Sequence, residues 1–303
     1  MAVRLAKQIC REFPSGTICP MEESLLSLFS LVTGRTQPSI CRASKRDEAM
    51  VASQERVKEL DSLRETFGAE RVAEAERRGA VRALFDRIAP RYDLMNDLMS
   101  FGLHRLWKRA TVRVALKRLQ GKDGPLVDLA GGTGDIAFGV KAADPSRKVI
   151  IADASAGMLE VARKRGGDSV EYLHAEAEDM PLGDAFAAGV TLVFGLRNMT
   201  DPARALAETA RVLKPGGSLV LLEFSKPAAW FAPFYGIHSR FVIPAIGAMV
   251  ARDKGAYTYL VESIRLFPAA DDVTRALDKA GLETIETRAF MFGVAVLHVA
   301  VKK

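Results

Sequence analysis

Short apolar runs alternate with amphipathic segments from Ala80 to the end of the chain. The runs are bounded by Gly, Pro or charged residues, a pattern that predicts buried strands, whereas apolar residues at every third or fourth position predict helices. Strands that alternate with helices in this way predict a parallel sheet with helices on both faces. The first predicted strands are Leu126–Leu129, Val149–Ala152, Val170–Leu173, Gly189–Phe194 and Ser218–Glu223.

The end of the chain departs from this alternation. Two strand-like runs, Glu283–Arg288 and Val294–Val301, follow the last predicted helix with a short connection between them. Strands joined by a short connection run antiparallel, so we predict a closing hairpin. The predicted helices are Val81–Ile88, Leu94–Leu116 beyond Pro90, Asp135–Ala142, Ala156–Lys164, Pro202–Leu213 and Asp272–Ala280.

Residues 1–75 form a predicted N-terminal extension, flexible or helical, and residues 76–303 form the main domain. Met1–Arg46 combines short apolar stretches with Ser, Thr and scattered basic residues but few acids, a composition similar to that of a transit peptide. Translation that begins at Met50 explains the same segment equally well. Glu55–Arg78 is dense in charge with weak helical periodicity, which predicts an exposed helix leading into the domain.

Composition restricts the class of protein only broadly. The 303 residues are 49% hydrophobic, which suits a globular protein with a large core. A formal charge of +6 is compatible with acidic substrates, anionic lipid or nucleic acid, and equally with an ordinary solvated surface. Cys10, Cys19 and Cys41 precede the main domain without a zinc-binding pattern, so we predict no metal site and a reducing compartment.

The segment Leu126–Asp135 turns a strand into a helix through the glycine-rich sequence Ala-Gly-Gly-Thr-Gly. Glycine permits the sharp turn, and the free N–H groups of the following helix face a ligand. Because Gly132-x-Gly134-x-x-Ala137 also satisfies the dinucleotide-binding pattern, the loop alone admits both a nicotinamide cofactor and S-adenosylmethionine.

Acidic residues near this loop favour S-adenosylmethionine. Asp128 is placed to accept from the ammonium of a methionine moiety, and a pyrophosphate would be repelled there and at Asp135. Asp153 ends the second strand, about 20 residues on, where an acid binds ribose hydroxyls of either cofactor, and Glu176 follows the third strand at the expected adenine edge. The predicted cofactor contacts are Asp128, Gly131, Gly132, Thr133, Gly134, Asp153, Glu176, Ala177 and Val193.

Four segments spread over the domain make a more specific match. They are Tyr92–Ser100 followed by His104, Trp107 and Lys108; Phe194–Asn198; Arg211–Gly217 running on to Glu223–Ser225; and Tyr257–Leu260 with Glu262–Ile264. Together they resemble the ubiquinone/menaquinone biosynthesis C-methyltransferases (the UbiE type) from about Ala80 to the C-terminus. The resemblance implies the class I methyltransferase fold, an α/β Rossmann-like fold with a mostly parallel seven-stranded sheet and one antiparallel strand near the C-terminus.

The resemblance further implies transfer of a methyl group from S-adenosylmethionine to a ring carbon of a polyprenylated benzoquinol or demethylmenaquinol. A phenol becomes a carbon nucleophile when its hydroxyl proton is removed or strongly polarised. Arg197 has a pKa above about 12 and is no free base, but it can stabilise a phenolate, and Asn198 can hold a ring oxygen. Tyr92 can complete the relay. His104 and His238 are the better-tuned candidate bases, although a lone His is more often structural.

The sequence departs from the family pattern at three places. Val193 stands where Ser or another small polar residue is usual, Ala187-Ala188 replaces Phe-Asp, and Glu176 replaces Asn or Asp. One lost hydrogen bond weakens binding by about 0.5–1.5 kcal/mol, so we expect a retuned cofactor pocket that still binds.

Residues 226–265 form a predicted substrate lid inserted after the fifth strand. We expect it to cover the isoprenoid tail and to contact a membrane surface peripherally, assisted by Arg240 and Arg252; an ordinary core-covering helix pair is the alternative. The sequence has no uninterrupted run of about 18 apolar residues. The aromatic-rich runs of the lid are Trp230-Phe231, Phe234-Tyr235 and Phe241–Pro244.

Three other functions compete with this interpretation. An oxidoreductase that uses a nicotinamide cofactor shares the fold. A nucleic-acid methyltransferase suits the charge, but no Asn/Asp-Pro-Pro-aromatic motif or aromatic-basic stripe occurs, so we expect no nucleic-acid partner. The third alternative is a non-catalytic or weakly cofactor-binding subunit of a quinone-biosynthesis complex, which is suggested by Val193 and Ala188 because they depart from the family pattern.

We expect a cytoplasmic protein that is peripheral on the inner membrane face, or a mitochondrial matrix protein if the extension is a transit peptide. We expect it to act as a homodimer or within a quinone-biosynthesis complex.

Overall fold

The computed structural model describes residues 63–237, 239 and 254–303. The strands are β1 (Thr66–Phe67), β2 (Glu70–Arg71), β3 (Leu126–Leu129), β4 (Val149–Asp153), β5 (Glu171–His174), β6 (Ala187–Val193), β7 (Leu213–Phe224), β8 (Leu282–Phe290) and β9 (Ala295–Lys302). Seven of them form one sheet in the order β5-β4-β3-β6-β7-β9-β8. Neighbouring strands are parallel except where β9 pairs with β7 and β8. The predicted sheet, with one antiparallel strand near the C-terminus, is confirmed.

Helices cover both faces of this sheet. The described α-helices are α1 (Glu74–Ile88), α2 (Tyr92–Ser100), α3 (Leu103–Leu119), α4 (Asp135–Ala143), α5 (Ala156–Gly166), α6 (Pro202–Val212), α7 (Ala232–Ile237), α8 (Lys254–Leu266) and α9 (Ala270–Lys279). Successive strand side chains point to opposite faces. Val127 therefore packs in one core cluster with Leu206 of α6, while Leu126 packs in another with Trp107 of α3 and Val140 of α4.

The single helix predicted over Leu94–Leu116 is wrong, because α2 and α3 are separate helices. Phe101, with φ 50°, and Gly102, with φ 74°, lie between them in the left-handed region. Gly102 adopts this conformation without steric cost, and its N–H donates to the carbonyl of Asp97 at 2.9 Å, which closes the end of α2. The break lets both helices line one cavity.

The prediction of a helix over Glu55–Arg78 is wrong at residues 66–71, where β1 and β2 form a hairpin. The predicted exposure is also wrong for Arg77, which is only 2% exposed. Its guanidinium donates to the carbonyl of Thr66 at 2.6 Å and to the carbonyls of Met199 and Arg197. Burial lowers the pKa of Arg77. Its acceptors are distant in sequence, so periodicity around residue 77 gives no sign of them.

The predicted lid over residues 226–265 is described in part, as α7, Ser239 and α8. Within the ranges that the structure describes, no helix is long and apolar enough to cross a membrane. His238, Arg240, Phe241–Pro244 and Arg252 lie outside the described residues.

Candidate active site

A cleft with an empty volume of about 780 Å³ lies at the carboxyl ends of three parallel strands. Ala130 follows β3, Asp153 ends β4 and Val193 ends β6, and all three line the cleft. Helix α1 contributes Arg82 and Phe85 to the lining. Ligands of α/β sheets bind at this edge, so the cleft is the candidate cofactor site.

The glycine loop is shaped by close backbone contacts. Gly132, with φ 56°, and Gly134, with φ 87°, have the conformation that favours glycine. A Cβ on Gly134 would lie 2.5 Å from the ring of Phe138, and one on Gly131 would lie 2.9 Å from the carbonyl oxygen of Asp128. Of these glycines only Gly132 lines the cleft. Gly131 and Gly134 shape the loop, and their predicted ligand contacts stay predictions.

Asp153 holds the loop from the neighbouring strand. Its carboxylate accepts from the N–H of Gly132 at 2.8 Å and from the N–H of Ser155 at 2.8 Å. Burial raises the pKa of Asp153 to about 6. A carboxylate has more lone pairs than these two donors use, so Asp153 can still accept from hydroxyl groups of a ligand.

Asp128 lies beneath the loop, 1% exposed, and does not line the cleft. It accepts from the hydroxyl of Thr191 at 2.7 Å and from the N–H of Ala137 at 3.1 Å. Burial raises the pKa of Asp128 to about 7. Both carboxylate oxygens tie β3 to β6 and to the start of α4, and acceptance from a ligand ammonium by Asp128 stays a prediction.

The other polar residues of the loop also lie outside the cleft. Thr133 is 2% exposed, and its hydroxyl donates to Asp93 at 2.8 Å, so its predicted cofactor contact stays a prediction. Asp135 pairs with Lys108 at 2.8 Å and with Arg165 at 2.7 Å. Burial alone would raise the pKa of Asp135, but the two cations lower it to about 2. Its charge is thus partly compensated, which weakens the predicted repulsion of a pyrophosphate by Asp135.

Glu176, Ala177 and Val193 line the cleft. The carboxylate of Glu176 is bound by the guanidinium of Arg82, yet its side chain remains 29% exposed and open to a ligand. Val193 presents only methyl groups. Arg82 was not predicted as a site residue. It lies four residues after Arg78 and therefore on the same face of the helix, and Arg78 also lines the cleft, so this spacing is the signal that could have identified it.

A second cavity, with an empty volume of about 1010 Å³, shares a wall with the cleft. Tyr92 and Phe194 line both cavities. We call the second one the apolar cavity, because most of its surface comes from aromatic and aliphatic side chains. These include Met99, Leu103, Trp107, Phe224, Phe231 and Ile264.

Arg197 is the buried cation of the apolar cavity, 3% exposed. Its Nη1 donates to Glu223 at 2.8 Å and to the carbonyl of Phe194 at 2.6 Å, and the guanidinium lies 5.1 Å from the ring centre of Phe224. Within the described residues, all hydrogen bonds of the Arg197 side chain use Nη1, so other guanidinium donors are available to a ligand. Glu223 was missed as a partner because only the fold brings β7 beside this segment.

Asn198 lines the cleft and is fixed from two sides. Its Nδ2 donates to the carbonyl of Phe194 at 3.2 Å, and its Oδ1 accepts from the hydroxyl of Tyr259 at 3.1 Å. Tyr259 is 4% exposed and stacks on Phe67 with ring centres 4.5 Å apart. The amide is therefore held in one orientation.

His104 lines the apolar cavity and is 5% exposed. Its Nδ1 lies 2.8 Å from the hydroxyl of Ser100, and Nε2 has no hydrogen-bond partner within the described residues. Burial, reinforced by the charge of Lys108, lowers the pKa of His104, which keeps the ring neutral near pH 7. His238 lies outside the described residues. Among those described, no group of three or more His, Cys, Asp or Glu side chains is placed to hold a metal ion.

The strand order and the cleft at the carboxyl edge define an α/β enzyme of the class I methyltransferase type. A SAM-dependent methyltransferase from Thermotoga maritima, described as a possible histamine N-methyltransferase, superposes with a TM-score of 0.52 at 23% identity over 74% of this chain and 100% of its own. At this identity the likeness concerns the fold alone.

The chain belongs to the ubiE/COQ5 methyltransferase family, whose model matches residues 71–302. The ubiquinone/menaquinone biosynthesis C-methyltransferase UbiE of Rubrivivax gelatinosus is 48% identical over 240 residues, which cover 79% of this chain and 94% of the relative. The UbiE of Acidiphilium cryptum is 44% identical over 238 residues, covering 77% and 94%. The chain is therefore a methyltransferase.

Proposed function

We propose that the enzyme is an S-adenosylmethionine-dependent C-methyltransferase that acts on the ring of a polyprenylated benzoquinol or demethylmenaquinol in ubiquinone or menaquinone biosynthesis. The observation that carries the proposal is the wall of Tyr92 and Phe194 shared by the polar cleft and the apolar cavity. A methyl donor and a quinol ring bound on either side would meet there, as transfer requires reacting atoms about 3–3.5 Å apart. The names of the UbiE relatives support this acceptor class.

The residues that line the cleft support S-adenosylmethionine as the methyl donor. Ala130, with φ 51°, and Gly132 curve the loop backbone towards the cleft. A Cβ on Gly195 would lie 2.6 Å from the Cβ of Ala130, so glycine alone lets the segment after β6 approach the loop. Asp153 is available for ribose hydroxyls and Glu176 for the adenine edge. When bound, the donor supplies an electrophilic methyl group on a sulfonium.

The residues of the apolar cavity can activate a phenolic ring. Apolar walls exclude water, which strengthens the attraction between Arg197 and a phenolate oxygen. Asn198, fixed by Tyr259, can orient a ring oxygen at the shared wall. The Ser100 hydroxyl donates to the carbonyl of Asn96 at 2.7 Å, so its oxygen can accept from Nδ1–H of neutral His104, and in that tautomer Nε2 can accept a proton. Tyr92 lies between the cavities and can relay a hydrogen bond.

Restoration of quinone synthesis tests the proposal. The chain is expressed in a strain that lacks this methyltransferase, and the extracted quinones are analysed by mass. We expect methylated quinone to reappear, and not to reappear with Asp153→Ala. Accumulation of demethyl quinones alone would overturn the proposed acceptor. Absence of S-adenosylhomocysteine binding in calorimetry of the purified protein would favour the non-catalytic alternative.

Peripheral membrane contact is a separate proposal, prompted by the apolar tail of the acceptor. Trp230 is 61% exposed and Phe234 65% exposed, and Phe234 also lines the apolar cavity. The ring of Trp230 lies 4.6 Å from that of Phe292, which is 55% exposed. Aromatic rings of this kind favour the interface of a bilayer.

Liposome co-sedimentation tests the membrane contact. We expect Trp230→Ser combined with Phe234→Ser to reduce the bound fraction. Ile285→Ser, at a residue of β8 that is 49% exposed, is the matched control and should leave it unchanged. Equal sedimentation of the double variant and the wild type would contradict the proposal.

A further inference from the structure

Asp93 connects helix α2 to the glycine loop, which lies 40 residues further along the chain. One carboxylate oxygen accepts from the hydroxyl of Thr133 at 2.8 Å, and the other lies 3.1 Å from Nη1 of Arg165. The same Nη1 donates to the carbonyl of Thr133 at 2.8 Å. Thr133 is thus held through both its side chain and its backbone.

Neither Asp93 nor Thr133 lines the cleft or the apolar cavity, but their chain neighbours do. Tyr92 precedes Asp93 and lines both cavities, while Gly132 precedes Thr133 and lines the cleft. The bond between Asp93 and Thr133 therefore fixes the position of the shared wall relative to the cofactor loop.

A charge network holds this bond in place. Arg165 also pairs with Asp135 at 2.7 Å, and Asp135 pairs with Lys108 at 2.8 Å. Residues of α2, α3, α4 and α5 take part, and the Thr133 hydroxyl is buried. A hydrogen bond to a charged group is stronger than a neutral one.

We propose that Asp93 and Thr133 form a latch that couples the two cavities. A ligand in the cleft orders the glycine loop, and the latch extends this order to α2, so that the acceptor binds more tightly to the loaded enzyme. Asp93 is a positioning residue for Tyr92. The inference rests on the proposed function for the identity of the two ligands. Coupling of this kind is reciprocal, so the acceptor tightens binding in the cleft by the same factor.

Hydrogen exchange measured by mass spectrometry tests the latch, with S-adenosylhomocysteine as the probe. The amides of Asn96–Ser100 report on it, because Asn96, Met99 and Ser100 line the apolar cavity and no residue of this half of α2 lines the cleft. At saturating probe we expect slower exchange there in the wild type and in Thr133→Ser. Thr133→Val keeps the shape and loses the hydroxyl, so it should lose most of this protection. Equal protection in Thr133→Val and the wild type would overturn the latch.

Two further variants keep the test decisive if Thr133→Val folds poorly. Asp93→Leu removes the acceptor from the other side of the bond and should also lose the protection. Glu160→Gln removes a carboxylate from an exposed pair with Lys164 on α5 and should behave as wild type.

Steady-state kinetics separate this inference from the proposed function. We expect Thr133→Val and Asp93→Leu to raise KM for the quinol about tenfold or more, in keeping with the loss of a charged hydrogen bond. Thr133→Ser keeps the hydroxyl and should therefore have the wild-type KM. A wild type that binds the probe but methylates no quinol would refute the proposed acceptor, while the exchange experiment would still decide the latch. An unchanged KM for the quinol in both variants would count against the latch.

Discussion

Arg197 and Glu223 form an ion pair beside the apolar cavity, with Nη1 2.8 Å from Oε1 and side chains only 3% and 1% exposed. The same Oε1 accepts from the N–H of Phe224 at 2.9 Å, and Oε2 accepts from the N–H of Arg197 at 3.4 Å. Glu223 therefore orients both the guanidinium and the backbone of the segment that carries it. The fixed cation lies in the apolar cavity, where we propose that the phenolate forms.

Replacing Glu223 by Gln should destabilise the protein by about 3 kcal/mol, because it leaves the charge of Arg197 buried without a partner. Chemical denaturation measures the loss. The double variant Glu223→Gln/Arg197→Met removes both charges and should be less destabilised than Glu223→Gln alone. Strictly additive effects would show that the two side chains do not interact as the structure has them.

The sequence predicts most of the sheet because its central strands are buried. β3 spans the residues predicted, since all four side chains are apolar or enclosed. β7 begins at Leu213, before the predicted Ser218, because Leu213 pairs with Ala187 although Lys214–Gly217 has the composition of a turn. Pairing between distant strands is absent from local periodicity, so the ends of strands are harder to predict than their centres.

The site is predictable where a side chain follows a strand end and less so elsewhere. Asp153 lies at the end of β4, and position alone brings it to the cleft. Asp128 lies inside β3, and strand alternation gives it the same face as Leu126, which helices cover. That alternation could have revealed its burial. The contact of Thr133 with Asp93 depends on how α2 packs against the loop, which no local pattern records.

The stability of the protein should depend on pH through Asp128. Burial raises its pKa from 3.8 to about 7, so the folded state binds more protons than the unfolded state between these values. Stability contributed by this group is therefore lost as the pH rises from 4 to 7. Relative to Asp128→Asn, the wild type should lose at least about 1 kcal/mol of unfolding free energy between pH 5 and 8.

Asp135→Asn is the control for this titration. The pKa of Asp135 is lowered to about 2, so the group stays ionised from pH 5 to 8 and its contribution is lost only in stronger acid. The difference between the wild type and Asp135→Asn should be constant over that range. A constant difference for Asp128→Asn as well would contradict the raised pKa.

Gly134→Ala should weaken both folding and cofactor binding. The residue has φ 87°, and its Cβ would lie 2.5 Å from the ring of Phe138. The left-handed conformation costs about 1–2 kcal/mol and the overlap about 1–3 kcal/mol more. Gly216, with φ 72°, has no atom within 4 Å of the same position, so Gly216→Ala isolates the conformational cost. Melting and calorimetry with S-adenosylhomocysteine should rank Gly134→Ala below Gly216→Ala; equal losses would mean that Phe138 moves aside freely.

Val193→Thr should tighten cofactor binding. Val193 lines the cleft at the end of β6, where the family pattern has a small polar residue, and threonine adds a hydroxyl at nearly constant shape. One hydrogen bond contributes about 0.5–1.5 kcal/mol, so the Kd for S-adenosylhomocysteine should fall about two- to tenfold. Val193→Ala changes the volume without adding a hydroxyl and should bind no more tightly than wild type. If Val193→Thr also binds S-adenosylhomocysteine no more tightly than wild type, polar contact at this end of β6 must come from Asn198 or the backbone. The valine would then not weaken cofactor binding.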